Sequence, residues 1–334
     1  MSPIPTTVVG SYPQPDWLVD KDRLRVAGVP RVRTPEVWRV AEPWLAAAQA
    51  DAVRLAVADM ERAGIETVTD GEQRRESYFN QLANALEGVD LTRPGVGIAR
   101  TGREIPVPRI VGPIRRVRPI VREDAVLLRS ITARRTKVTV PGPFTLAALA
   151  QDDYYRDEEK LVMAYAAAVN EELREVAPLV DVVQLDEPYL QARPDKARAY
   201  AIAAIDRALA GVAKPAIVHL CFGYAATVKD KPSGYSFLPE LDRCSAWGIS
   251  IEAAQPKLDL SVLGALPSKT IVLGVLDLGD PTPETPGIVQ RRLAAALQHV
   301  PAERLVAAPD CGMKYLAREV AFAKLQALAD GARG

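Results

Sequence analysis

Short runs of β-branched and apolar residues recur along the chain, separated by longer stretches in which Ala, Leu and Val alternate with charged positions at helical spacing. The first pattern is that of buried strands and the second that of amphipathic helices. The candidate strands are Thr7–Gly10, Thr67–Asp70, Lys137–Val140, Val182–Leu185, Ala216–His219, Ile249–Ile251, Thr270–Gly274 and Leu305–Ala308. Helical patterns fall at Pro43–Ala63, Glu158–Val176, Asp195–Ala210, Ile288–His299 and Leu316–Ala329. Strands and helices in alternation predict an α/β protein, and eight such strands predict a (β/α)8 TIM barrel. No Gly-x-Gly-x-x-Gly turn follows the first strand, which weakens the case for a doubly wound dinucleotide-binding sheet. One segment breaks the pattern. Residues Pro94–Arg122 are rich in proline and glycine and read as a hairpin or extended insertion after the second strand, a lid or a dimer arm. Residues 1–334 otherwise read as a single domain.

Composition narrows the function classes. At 48% hydrophobic and 25% charged the chain is an ordinary globular protein, and Lys plus Arg equals Asp plus Glu at 42 each. No net field therefore recruits nucleic acid or an anionic membrane. The clusters Arg115-Arg116-Val-Arg118 and Arg134-Arg135 are brief and read as solvated surface. No apolar run reaches the roughly 18 residues of a membrane span, and Met1-Ser-Pro-Ile-Pro-Thr-Thr7 lacks a signal-peptide core. Three cysteines are too few for a disulfide framework, so a cytoplasmic protein with reduced thiols is expected.

Chemistry enters at the ends of the strands, where a parallel barrel gathers its catalytic groups. Polar residues stand there repeatedly: Gly10-Ser11, Asp70-Gly71-Glu72, Asp186-Glu187-Pro188, His219, Cys221, Glu252, Asp277 and Asp310-Cys311. Desolvated charges each need a partner, so such a series is hard to explain by packing. His219 and Cys221 lie two apart on one strand and point to the same face. With Cys311 they offer one nitrogen and two sulfurs, and Glu252, ending the next strand, is the natural fourth ligand of a tetrahedral zinc. Two thiolates, one carboxylate and Zn²⁺ sum to one negative charge. Such an ion is a poor activator of water but suits a bound thiol, and a weak carboxylate ligand can give way to it. An isolated His-x-Cys also arises by chance, and buried cysteine often serves as a small hydrophobe. Spacing alone leaves both readings open. Cys244 reads as an ordinary buried thiol and His299 as a helix-terminal residue.

The ordered motifs resemble the C-terminal catalytic barrel of cobalamin-independent methionine synthase over essentially the whole chain. They run from Thr6-Thr-Val-Val-Gly-Ser11 through Asp70-Gly-Glu72, Pro141-Gly-Pro-Phe-Thr145, Gln184-Leu-Asp-Glu-Pro188, His219-Leu-Cys221 and Ile251-Glu252 to Pro309-Asp-Cys-Gly-Met-Lys314. The resemblance implies zinc at His219, Cys221, Glu252 and Cys311, and methyl transfer to the thiol of homocysteine. It also implies that Val9, Gly10, Ser11, Glu72 and Asp186 hold the amino-acid part of the substrate, with Glu72, Asp186 and Asp277 in catalytic places.

Three departures accompany the resemblance. The N-terminal half of the two-barrel enzyme, which helps bind the folate tail, has no counterpart. After the Gly-Pro turn the sequence reads Thr145-Leu-Ala-Ala-Leu-Ala-Gln151 with no tryptophan to stack on a pterin, although Tyr154-Tyr155 follow. The turn that carries the family's histidine reads Asp277-Leu-Gly279-Asp280. Folate is a poor leaving group that needs a general acid, so these departures lead to methylcobalamin or a corrinoid protein as the expected donor. The alternatives are another zinc-thiolate alkyl transfer or a lyase, such as epoxide opening by coenzyme M, and a non-catalytic zinc protein or corrinoid-binding subunit. A hydrolase using Glu72 and Asp186 leaves the metal set idle.

Overall fold

The computed structural model describes residues 3–99, 102–226, 228, 231–232 and 234–334. Ten strands are present among them. Seven form one parallel sheet in the order β1 (Thr67–Val68), β4 (Arg135–Pro141), β6 (Val182–Asp186), β7 (Ala216–Leu220), β8 (Gly248–Ile251), β9 (Thr270–Leu276) and β10 (Leu305–Pro309). The segment at Thr6 and Thr7 closes the ring. Thr6 bridges Ala307 beside β10, and Thr7 bridges Thr67 on β1, both in parallel. The expected first strand is thus reduced to two bridges that complete the barrel.

These runs form strands because their Val and Ile side chains are buried on both faces, between the helices outside and the ring's interior. Helices Leu45–Ala63, Glu158–Val176, Pro194–Leu209, Pro286–Ala296 and Arg318–Arg333 surround the ring. Glu158–Val176 shows how local chemistry sets a boundary: Asp157 caps it by accepting from the Lys160 N–H, and Glu158 and Glu159 face the positive helix end. His299 lies exposed beyond the end of Pro286–Ala296 rather than inside a helix.

The register stacks the barrel interior in layers. Val182, Ile217, Val272 and Ala308 form a small apolar cluster of their own. Two residues further along three of these strands come Gln184, His219 and Asp310, and two further again Asp186 and Cys221, so each strand's alternation carries an apolar floor into a polar mouth. Strand pairing sets Asp186 beside His219, and His219 beside Ser250.

The remaining strands form a second sheet. β2 (Glu87–Ile98) and β3 (Glu104–Arg115) make an antiparallel hairpin, and β5 (Gln151–Asp152) pairs parallel with β3. The hairpin starts well before Pro94, because a proline at an edge position costs no ladder bond. Ala99, Arg103 and Ile105, flanking its tip, return to the barrel mouth and line the cavity there. Arg116 is not solvated surface: it pairs with the fully buried Glu172 and with Glu175 on Glu158–Val176. Glu172 also accepts from the Val121 N–H at 2.7 Å, which ties the exit of the hairpin to that helix. No helix among the described residues is long and apolar enough to cross a membrane.

Candidate active site

The first cluster follows from strand geometry. His219 on β7 and Cys221 just beyond it share the interior face, and Cys311 follows β10 across two intervening strands. Their ligating atoms all lie within 4.8 Å of one another, and all three residues are buried. His219 Nδ1 lies 2.9 Å from Ser250 Oγ, while Nε2 is buried with no hydrogen-bond partner among the described residues. A ring nitrogen fixed on one side and open on the other is how a metal-ligating imidazole is held. One nitrogen and two thiol sulfurs converging on one point fit zinc. The Cys311 thiol is pushed well up by its hydrogen bond with Cys221 and by burial. Because the Ser250 hydroxyl lies against the ring, a metal held by this cluster is expected to bind about 10- to 100-fold more weakly in Ser250→Ala, as measured by competition with a chromogenic chelator.

Glu252 stands at the end of β8, outside that three-residue cluster. It is fully buried, and its Oε2 accepts from Lys231 Nζ at 2.7 Å. Its backbone is held from both sides. The Tyr235 hydroxyl accepts from the Glu252 N–H at 2.9 Å, and the Asp310 carboxylate accepts from the N–H groups of Ala253, Ala254 and Gln255. The fourth expected ligand therefore stands outside the three-residue cluster and faces an ammonium. A buried carboxylate requires a counter-charge, and a lysine 21 residues away in sequence leaves no local mark.

The cluster opens into a cavity of about 360 Å³ whose wall also includes Val9, Ser11, Glu72 and Asp186. Glu72 follows Asp70-Gly71 in a turn that places it at φ 55°, a strained conformation that holds the carboxylate inward. Asp70 Oδ1 supports the turn by accepting from the Glu72 N–H at 3.0 Å. Gly10 makes room for it: a Cβ there would lie 2.7 Å from Glu72 Oε1. Thus Gly10 serves by absence, and its carbonyl accepts from Thr69 Oγ1 rather than lining the cavity. Glu72 Oε2 is buried with no partner among the described residues. Asp186 is oriented by Gln184 Nε2 at 2.8 Å, and Gln184 accepts in turn from the buried Lys137 Nζ at 2.6 Å. Burial pushes Glu72 up to about 7 and Asp186 up to about 6, and lowers Lys137 to about 7.

Neighbouring residues separate by role. Glu187, next to Asp186, turns the other way and accepts from the Phe144 and Thr145 N–H groups, capping the short helix Pro143–Ala148. Asp277 does not join the cavity. Its Oδ1 accepts from the Gly279 N–H at 2.8 Å and closes its own turn, as short carboxylates at strand ends tend to do. Tyr154 is half exposed, and the Tyr155 hydroxyl accepts from the Ile114 N–H of β3, so neither lines the cavity. Cys244 is buried away from the cluster, its thiol raised by burial.

Sequence reasoning missed several cavity residues. Arg31 stacks against Tyr78 and Phe79, 5.3 and 5.1 Å from their ring centroids, and Tyr78 and Tyr189 also line the wall. Arg31, Lys137 and Lys231 come from a loop, a barrel interior and a second loop. None belongs to a spaced motif, and no signal short of the fold itself would have found them.

Residues 4–333 match the family described as cobalamin-independent synthase, catalytic domain. A methionine synthase of Sulfurisphaera tokodaii is 28% identical over 99% of this chain and 92% of its own length, and one of Saccharolobus solfataricus is 28% identical over 99% and 94%. A solved structure of a B12-independent methionine synthase from Shewanella sp. W3-18-1, in complex with selenomethionine, is 31% identical with a TM-score of 0.89, covering 99% of this chain and 97% of that one. A methyltransferase from Methanosarcina mazei shares the fold at 15% identity and a TM-score of 0.64, covering 99% and 94%. The descriptions of the family and of the Shewanella protein exclude cobalamin, and so overturn the expected methylcobalamin or corrinoid-protein donor. The absent histidine was no evidence against another donor, because a proton for a leaving group can come from another residue or from water.

Proposed function

Because the chain belongs to the cobalamin-independent synthase catalytic-domain family, we propose that it transfers a methyl group to the sulfur of homocysteine, giving methionine. We assign zinc to His219, Cys221 and Cys311, with Glu252 as its exchangeable fourth ligand. The observation that carries this reading is a single cavity lined both by a soft-metal donor set, His219, Cys221 and Cys311, and by two buried carboxylates, Glu72 and Asp186. That combination suits a small molecule that carries both a thiol and an ammonium. The names of the relatives, and the selenomethionine held by the Shewanella protein, support the same substrate class.

A zinc ion held there would lower the pKa of a ligating thiol and so maintain a nucleophilic thiolate. The rest falls to the chain's own residues. Glu72 and Asp186 take the α-ammonium, and Glu72 has an open Oε2 for it. Ser11, 3.4 Å from the Tyr224 hydroxyl, faces the α-carboxylate. The buried walls exclude water and align sulfur with the incoming methyl carbon, which is where orientation lowers the barrier. The two buried carboxylates disfavour coenzyme M, whose sulfonate would share the cavity with them.

Calorimetry on the zinc-loaded protein tests the reading, with homocysteine and coenzyme M compared, alongside growth of a methionine-synthase-deficient auxotroph fed homocysteine. One-to-one homocysteine binding and growth without methionine are the expected results. Zinc-loaded protein that ignores homocysteine would overturn the assignment.

A further inference from the structure

Lys231 has no part in the chemistry so far, yet it is almost completely buried, with a side-chain exposure of 1%. Its ammonium meets Glu252 Oε2 at 2.7 Å, and Glu252 Oε1 is buried with no partner among the described residues. The Glu252 backbone is clamped by Tyr235 and by the Asp310-bound residues that follow. Only the side chain is left free to turn. It has two destinations, the Lys231 ammonium that it meets and the thiol cluster, since the pairing of Leu220 with Ile251 makes the next residues beyond β7 and β8, Cys221 and Glu252, neighbours.

We propose that Lys231 is a positioning residue that receives the Glu252 carboxylate when a thiol substrate takes its place on the metal. This inference rests on the zinc-thiol reading above and adds the partner that makes ligand exchange feasible. A carboxylate released in a buried site without a counter-charge would have to return to the metal or take up a proton. A fixed ammonium offers it a third state, a buried ion pair. Metal–carboxylate and metal–thiolate forms thereby come close in free energy, and the site exchanges ligands instead of closing around four firm ones. The exchange is balanced: the substrate's thiol would give its proton to solvent and its sulfur would gain a bond to the metal, Glu252 would lose one, and no proton moves between Glu252 and Lys231.

Cobalt(II) in place of zinc makes the exchange visible, because its absorption bands report the number of sulfur ligands. In the full-length protein, homocysteine should shift these bands from a two-sulfur to a three-sulfur pattern. Lys231→Met should keep cobalt at least as tightly against a chelator, yet bind homocysteine on the order of 10- to 100-fold more weakly. In a Glu252→Gln background no charge needs receiving, so adding Lys231→Met should then change homocysteine affinity less than threefold. The double variant also leaves no unpaired buried charge, which guards against a single variant that does not fold. Equal homocysteine affinity in the wild type and Lys231→Met, with cobalt retained, overturns the role of Lys231 alone. The same loss on adding Lys231→Met in the Glu252→Gln background also overturns it, because the effect would not pass through Glu252. A wild-type protein that binds cobalt but shows no thiol-induced shift overturns the zinc-thiol reading, and the inference with it.

Discussion

Replacing Cys311 with alanine is expected to weaken zinc binding on the order of 10³-fold and to reduce methionine formation at least as much. The cluster has an asymmetry that makes this the most damaging single change. His219 and Cys221 come from the same strand, two residues apart, while Cys311 alone arrives from across the ring. Without it one sulfur, one nitrogen and the exchangeable Glu252 carboxylate remain, which halves the thiolate donors that favour zinc. The fold should tolerate the change, since Cys311 lies beyond the β10 ladder that ends at Pro309. The comparator is Cys244→Ala, which removes an equally buried thiol far from the cluster and should leave zinc content unchanged. Zinc stoichiometry after dialysis against a chelator, with circular dichroism as a check on folding, decides the matter. A Cys311→Ala protein that keeps one zinc per chain would remove Cys311 from the ligand set.

The same asymmetry explains what could be read from the sequence. Seven barrel strands are legible because burial on both faces demands unbroken β-branched runs, and with the Thr7–Gly10 run they make the eight from which the (β/α)8 class is read. The eighth dissolves at Gly10, whose carbonyl is taken by the Thr69 hydroxyl instead of by a neighbouring strand. His219 and Cys221 are legible as neighbours because a strand's period is two. Cys311 could be joined to them only because parallel barrel strands bring their ends to one mouth. Asp277 shows what a strand end leaves open: it brings a residue to the barrel mouth but does not aim its side chain, and here Asp277 accepts from the Gly279 N–H and does not line the cavity. Lys231 and Arg31 were invisible because long cations reach their partners from loops, whose course no local pattern encodes.

Methionine is the cleaner probe of the two cavity carboxylates, because it carries the α-ammonium and no titrating thiol. Burial raises Glu72 to about 7 and Asp186 to about 6. A carboxyl raised in this way is neutral below its pKa and cannot pair with an ammonium there. Methionine should therefore bind best above about pH 7 and lose affinity as pH falls through about 7 and then about 6, by at most about tenfold per pH unit for each proton taken up. Glu72→Gln removes the upper step and the open Oε2 acceptor together. Affinity at alkaline pH should drop about 30- to 100-fold, the worth of one charge-assisted hydrogen bond of about 2–3 kcal/mol. The decline that remains should centre near 6, where Asp186 titrates. Isothermal titration of methionine into both proteins across this range separates the two steps. An unchanged profile in Glu72→Gln would show that the ammonium is held elsewhere, and would leave Asp186 as the sole acidic contact to test.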